Sequence, residues 1–130
     1  MTLPSRLRPY FEGGIVITKG VDRCLFAFPP EEWATFKANI KANADLSAKG
    51  RQLSRMFFSM AFEASLDRQG RVLIPAKLAR YAGLSRDVTL TGVDDRLEVW
   101  DTDEWERYVS SADDSFAEIV EEFAGREFGV

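Results

Sequence analysis

The chain states one pattern twice. Residues 3–36, LPSRLRPYFEGGIVITKGVDRCLFAFPPEEWATF, are echoed by residues 74–108, IPAKLARYAGLSRDVTLTGVDDRLEVWDTDEWERY. Leu3-Pro4 matches Ile74-Pro75, Tyr10 matches Tyr81, and Gly20-Val21-Asp22 matches Gly92-Val93-Asp94. Leu25 matches Leu97, Phe28 matches Trp100, and Glu32-Trp33 matches Glu104-Trp105. Two such copies within 130 residues imply one folding unit built from two similar halves that share a core. The second copy is preceded by FEASLDRQGRV, whereas Met1 already aligns with Val72. The segment that distinguishes the two copies is therefore the one to read for function.

Composition removes several function classes. Apolar residues make up 45% of the chain, with ten Phe and three Trp, enough for a packed interior. No apolar run approaches the ~20 residues needed to cross a bilayer, and MTLPSRLRPYF lacks the apolar stretch of a secretion signal. There is one cysteine and no histidine. A disulfide framework, a Cys/His zinc site and a His-based triad are thus excluded within one chain, and a cytoplasmic location is expected. Cys24, in the apolar run CLFAF, is expected to be a buried inert thiol. Asp94-Asp95 and Asp113-Asp114 read as turn and helix-cap residues, and Ala48-Lys49-Gly50-Arg51 lacks the spacing of a phosphate loop. No nucleophile–base pair is apparent, so no enzyme activity, cofactor or metal is expected.

The net charge of −4 looks unsuited to nucleic acid, but its distribution matters more. Residues 1–80 hold thirteen Lys/Arg against seven Asp/Glu, or +6; residues 81–130 hold four against fourteen, or −10. A basic face opposite an acidic one follows, or an acidic end that serves solubility.

Along the chain, 15–19 (IVITK) and 24–28 (CLFAF) read as strands joined by the turn Gly20 to Arg23, and 88–91 with 96–100 repeat them around Gly92 to Asp95. Pro29-Pro30-Glu31-Glu32 opens a helix, with proline in the first turn and acids favoured by the helix dipole. Trp33, Phe36 and Ile40 share its apolar face. A second helix is expected over 45–60, with Arg51 and Arg55 on its polar side. A third is expected where Phe116, Ile119, Val120 and Phe123 line one face, before a tail expected to fray.

Residues 62–76 predict a hairpin. Phe62, Ala64 and Leu66 alternate with Glu63 and Ser65. Asp67-Arg68-Gln69-Gly70 turns the chain, Arg71 to Ile74 return, and Pro75 ends the ladder. Ala76 to Tyr81 then form a short helix closed by Gly83. Period two points Arg71 away from Val72 and Ile74, beside a tip carrying Arg68. Leu73 shares the Arg71 face, so another strand or subunit is expected to cover part of it. Two guanidiniums on a narrow ribbon suit a DNA groove, where arginine bonds guanine edges or phosphates bidentately. The same spacing allows the plainer reading that Asp67 and Arg71 pair across the turn.

Together, SLDRQGRVLIPAKLARYAGL, ITKGVDRCLFAFPPEEW and VTLTGVDDRLEVWDTDEW resemble the MraZ family of bacterial transcriptional regulators over nearly the whole chain. The resemblance implies an α+β fold of two tandem AbrB-like halves that interleave into a double-split, swapped-hairpin β-barrel with flanking helices. The expected divisions are a first half at 1–44, a connecting helix at 45–60, a second half at 61–108 and an acidic helix and tail at 109–130. The resemblance also implies double-stranded DNA as partner, at promoter repeats of the division and cell-wall gene cluster. It further implies a ring-shaped homo-oligomer, nucleoid association and no membrane. The family's D-x-x-x-R hairpin maps onto Asp67, Arg68, Gly70 and Arg71 as the DNA-binding residues. A family member is expected to open with a first D-x-x-G-R before the segment matching Leu3-Pro4. The favoured expectation is a start at an internal methionine; a shortened gene is the other, and it would expose a sheet edge. A different class of function, a protein-interaction module of AbrB/antitoxin type, would use the acidic helix at 113–124 instead.

Overall fold

The computed structural model describes residues 1–124; the tail expected to fray lies outside the described residues. The fold is mixed α+β. Its strands are β1 (Ile15–Lys19), β2 (Leu25–Phe28), β3 (Phe62–Ala64), β4 (Val88–Val93) and β5 (Arg96–Asp101). Its helices are α1 (Pro30–Asn43), α2 (Ala48–Ser59), α3 (Ala76–Tyr81) and α4 (Thr102–Phe123), with a 3-10 helix at Ser5–Phe11. The strands form one open antiparallel sheet in the order β3-β1-β2-β5-β4. Among the described residues no strand pairing closes that sheet into a barrel.

The repeat becomes a local two-fold. Where β2 meets β5, Phe26 lies opposite its own equivalent Glu98, with Leu25 opposite Val99 and Ala27 opposite Leu97. A second crossing has the same property. Met1 N donates to Val72 O (2.9 Å) and Val72 N to Met1 O (2.8 Å), again a pair of equivalent residues. Both contacts centre on matched positions, as an axis relating the halves requires.

Period two sorts the three inner strands β1, β2 and β5 onto two covered faces. Ile15, Ile17, Leu25, Ala27, Leu97 and Val99 face a core closed by Leu3, Phe11, Val72 and Leu78 from the 3-10 helix, α3 and their flanks. Val16, Phe26, Phe28 and Trp100 face the opposite way, under Trp33 and Phe36 of α1 and Phe57 and Phe58 of α2. Both faces being covered explains why β1 and β2 read as nearly continuous apolar runs. Trp105 and Tyr108 of α4 pack on Trp100, with centroids 5.3 and 5.0 Å away.

Local signals act as their chemistry dictates. Pro29 and Pro30 open α1, with Glu31 and Glu32 in the first turn. Ser47 caps α2 by accepting from Gly50 N at 3.1 Å. Gly83, at φ 62°, follows α3, and Leu84 N donates back to Ala79 O (3.0 Å) in a Schellman closure. Asp101 caps α4, and that helix runs unbroken through residue 109. Cys24 is fully buried, and burial pushes its thiol up to about 12.

The hairpin at 62–76 differs from expectation. Residues 62–64 do form a strand, with Glu63 exposed, but it pairs with β1 of the first copy. The return segment 71–74 is not a strand partner of 62–66: Arg71 bridges Thr2 instead. The two arms separate at once beyond the tip, each joining the other half. Period two had fixed which side chains face inward; it carries no information on which strand lies alongside.

Candidate nucleic-acid interface

The tip left by this divergence is a five-residue knot around one carboxylate. Asp67 Oδ1 accepts from Gln69 N and Arg71 N, both at 2.9 Å, and Asp67 Oδ2 accepts from Arg71 Nε at 2.7 Å. The backbone closes the same ring. Gly70 N donates to Asp67 O (2.9 Å) and Asp67 N to Arg71 O (3.0 Å). Bonds from the Arg71 backbone and side chain hold the Asp67 carboxyl below the usual carboxylate range. The ionised form is thus the one this knot is built on.

Asp67, Arg68, Gly70 and Arg71 are therefore brought together, and the pairing across the turn that the spacing allowed is present. That pairing aims Arg71 rather than consuming it. Nε goes to Asp67 and one Nη2 hydrogen to Gln69 Oε1 at 3.3 Å, which leaves three of the five guanidinium N–H groups for a ligand. Arg71 and Arg68 are both exposed, and Val72 behind them is buried. Leu73, 78% exposed, is not covered by any described residue of this chain.

Gly70 has two reasons to be glycine. Its φ is 74°, in the left-handed region. A Cβ there would also come within 2.1 Å of Arg8 Nε. Arg8 lies across the tip, its Nε donating to Leu3 O at 3.0 Å, while Leu3 N donates to Gly70 O at 2.8 Å. The tip thus carries a third guanidinium, from the other half of the chain. Sequence reasoning missed Arg8. The signal was a break in the repeat, since its counterpart is Ala79.

The family model described as "MraZ protein, putative antitoxin-like" matches residues 1–55 and 57–127. The chain belongs to the MraZ family. It is 46% identical over 123 residues to a protein of Frankia alni named "Transcriptional regulator MraZ". A protein of the same name from Frankia casuarinae is 43% identical over 122 residues, and one from Parafrankia sp. 43% over 123. Each alignment covers 94% of this chain and 85% of the relative. Within this MraZ-family chain, no described helix is long and apolar enough to cross a membrane. No cluster of His, Cys, Asp and Glu able to hold a metal occurs among the described residues.

Proposed function

We propose that this chain is a DNA-binding transcriptional regulator that reads duplex DNA with the tip around Asp67. The observation that carries the reading is the Asp67 carboxylate locking Arg71 at an exposed tip beside Arg68 and Arg8. Family membership and the names of the relatives support it. A narrow tip with pre-aimed guanidiniums matches the major groove in shape and donor pattern, and it loses little side-chain entropy on binding. Asp67 and Gly70 shape the tip; Arg71, Arg68 and Arg8 meet phosphate or guanine edges.

The two arms that diverge from the tip support a double-split, swapped-hairpin barrel completed in the assembled protein. Single tips bind weakly, and several on a ring-shaped homo-oligomer gain through effective concentration when they meet repeated promoter sites. The division and cell-wall gene cluster is the proposed target, and the cytoplasm, at the nucleoid, the proposed location. An acidic chain can act in this way because only the basic end meets phosphate.

Fluorescence anisotropy of a repeat-containing promoter duplex, titrated at several salt concentrations, tests the reading. Affinity should fall steeply with salt as counterions are released. A flat response would remove phosphate contact from the account.

A second reading has its own observation. Phe116 is 64% exposed on α4, and Ile119 on the same helix is exposed as well, which suits a protein-interaction module of AbrB/antitoxin type. Partner capture that survives Arg71→Ala but fails after Phe116→Glu would favour it over DNA binding.

A further inference from the structure

The two halves treat one tyrosine differently. In the second copy Tyr81 Oη donates to Gly20 O at 2.7 Å, and Lys19 Nζ sits 4.7 Å from the centre of its ring. In the sheet register, where Lys19 lies opposite Leu25 and Gly92 opposite Leu97, the equivalents in the other half are Tyr10, Val93 and Gly92. Tyr10 is 70% exposed, and Gly92, which has no side chain and open space in front of it, stands where the cation would be. The cause is local. Pro9 has no N–H for an α-helical bond, and Ser5–Phe11 is a 3-10 helix where the counterpart, Ala76–Tyr81, is α-helical.

A cleft borders each tyrosine: the one at Tyr81, ≈ 480 Å³, is lined by Lys19 and Lys49 with no carboxylate, whereas the one between Tyr10 and Gly92, ≈ 470 Å³, has the opposite charge. Leu7, Phe11 and Leu97 contribute apolar wall; Glu31, Glu32 and Asp94 contribute carboxylates. Arg96 also lines it, but its guanidinium is already engaged by Asp95 and Glu98, each at 3.1 Å, and stacks 4.3 Å from the Phe26 ring centre. The cleft therefore combines an aromatic face, an apolar wall and three carboxylates that no ion pair engages among the described residues. A lysine or arginine side chain carries the matching parts, an apolar stem and a cationic head.

We infer that this cleft binds a lysine or arginine side chain presented by a partner polypeptide, the cation taking over Tyr10 the place that Lys19 takes over Tyr81. The internal copy supplies the template: the same fold, in its other half, already holds a cation on the matching ring. The site is separate from the Asp67 tip, so it stands or falls independently of DNA binding.

NMR titration of the ¹⁵N-labelled full chain tests it, with an acetylated, amidated octapeptide carrying one central lysine in a Gly/Ser background. Saturable shifts are expected at Tyr10, Gly92 and Asp94. Replacing the lysine by norleucine should abolish them, as should adding Tyr10→Ala and Glu32→Gln together, with affinity falling at least tenfold. The two altered side chains are not in the buried core, and a preserved spectrum elsewhere would show that the variant folds. Equal shifts with the norleucine peptide would overturn the inference, as would an unchanged response of the double variant. Saturable binding of spermidine with none of the lysine peptide would overturn the polypeptide source.

Discussion

β1 and β4 hold equivalent places in the two copies, yet their surroundings differ. β1 is paired on both sides, by β2 and β3, and four of its five residues are buried. Among the described residues β4 is paired only by β5, and none of its six residues is fully buried. The tyrosines follow the same division: Tyr81 is latched to the β1 side, and Tyr10 stands open beside the β4 side. A duplicated sequence has thus given one inner strand, β1, covered on both edges, and one edge strand, β4, beside an open cleft. Covering a strand on both edges and both faces fixes it; leaving one edge open makes it a place for fraying or docking.

The largest expected effect is in the core. Ile17→Ala, at a fully buried position of β1, should cost about 2–5 kcal/mol in denaturant unfolding. Leu90→Ala, its half-buried counterpart region on β4, should cost clearly less. Equal losses would break the contrast. Hydrogen exchange sharpens it further, with β4 amides exchanging ahead of those of β1.

Gly70→Ala comes next. It places a side chain at φ 74° and against Arg8, and it should cost about 1–2 kcal/mol from the backbone alone. Smaller still is the tyrosine pair. Tyr81→Phe removes the bond to Gly20 O and should cost about 0.5–1.5 kcal/mol, whereas Tyr10→Phe should leave stability unchanged. Thermal melts of the two variants decide whether the latch is one-sided.

A pH effect separates another contact of the second half. Asp101 Oδ1 accepts from Ser85 N at 3.2 Å and from the Ser85 hydroxyl, and these bonds hold its carboxyl below the usual range. Its contribution is complete above the ordinary carboxylate pKa and lost as pH falls through the depressed one. Asp101→Asn should accordingly flatten the acid limb of the stability curve, and an unaltered limb would remove Asp101 from it.

Much of this was legible in the residues. The repeat, the prolines of α1, the short helix closed by Gly83 and the buried Cys24 all follow from local chemistry. The sheet order was not legible, because 25–27 meet 97–99 and 62–64 meet 15–17 across long stretches of chain. Alternation tells which way Arg71 and Val72 point, and both stand as expected. It cannot say that Thr2 rather than Leu66 lies beside Arg71. Arg8 escaped for the same reason, since the glycine it packs against is in the other half. On the tip itself, Asp67 and Arg71 supported both a structural pairing and a DNA contact. The geometry makes these compatible, since the pairing leaves three guanidinium donors outward.

Arg71, locked by Asp67, is proposed to read DNA. Anisotropy of a repeat-containing duplex with wild type, Arg71→Ala and Arg71→Lys measures it directly, alongside thermal melts. Arg71→Ala should weaken binding at least tenfold while the melt stays close to wild type. Lysine should restore only part of the loss, because a point charge cannot use the fork that Asp67 orients. Unchanged affinity in a folded Arg71→Ala protein would contradict it.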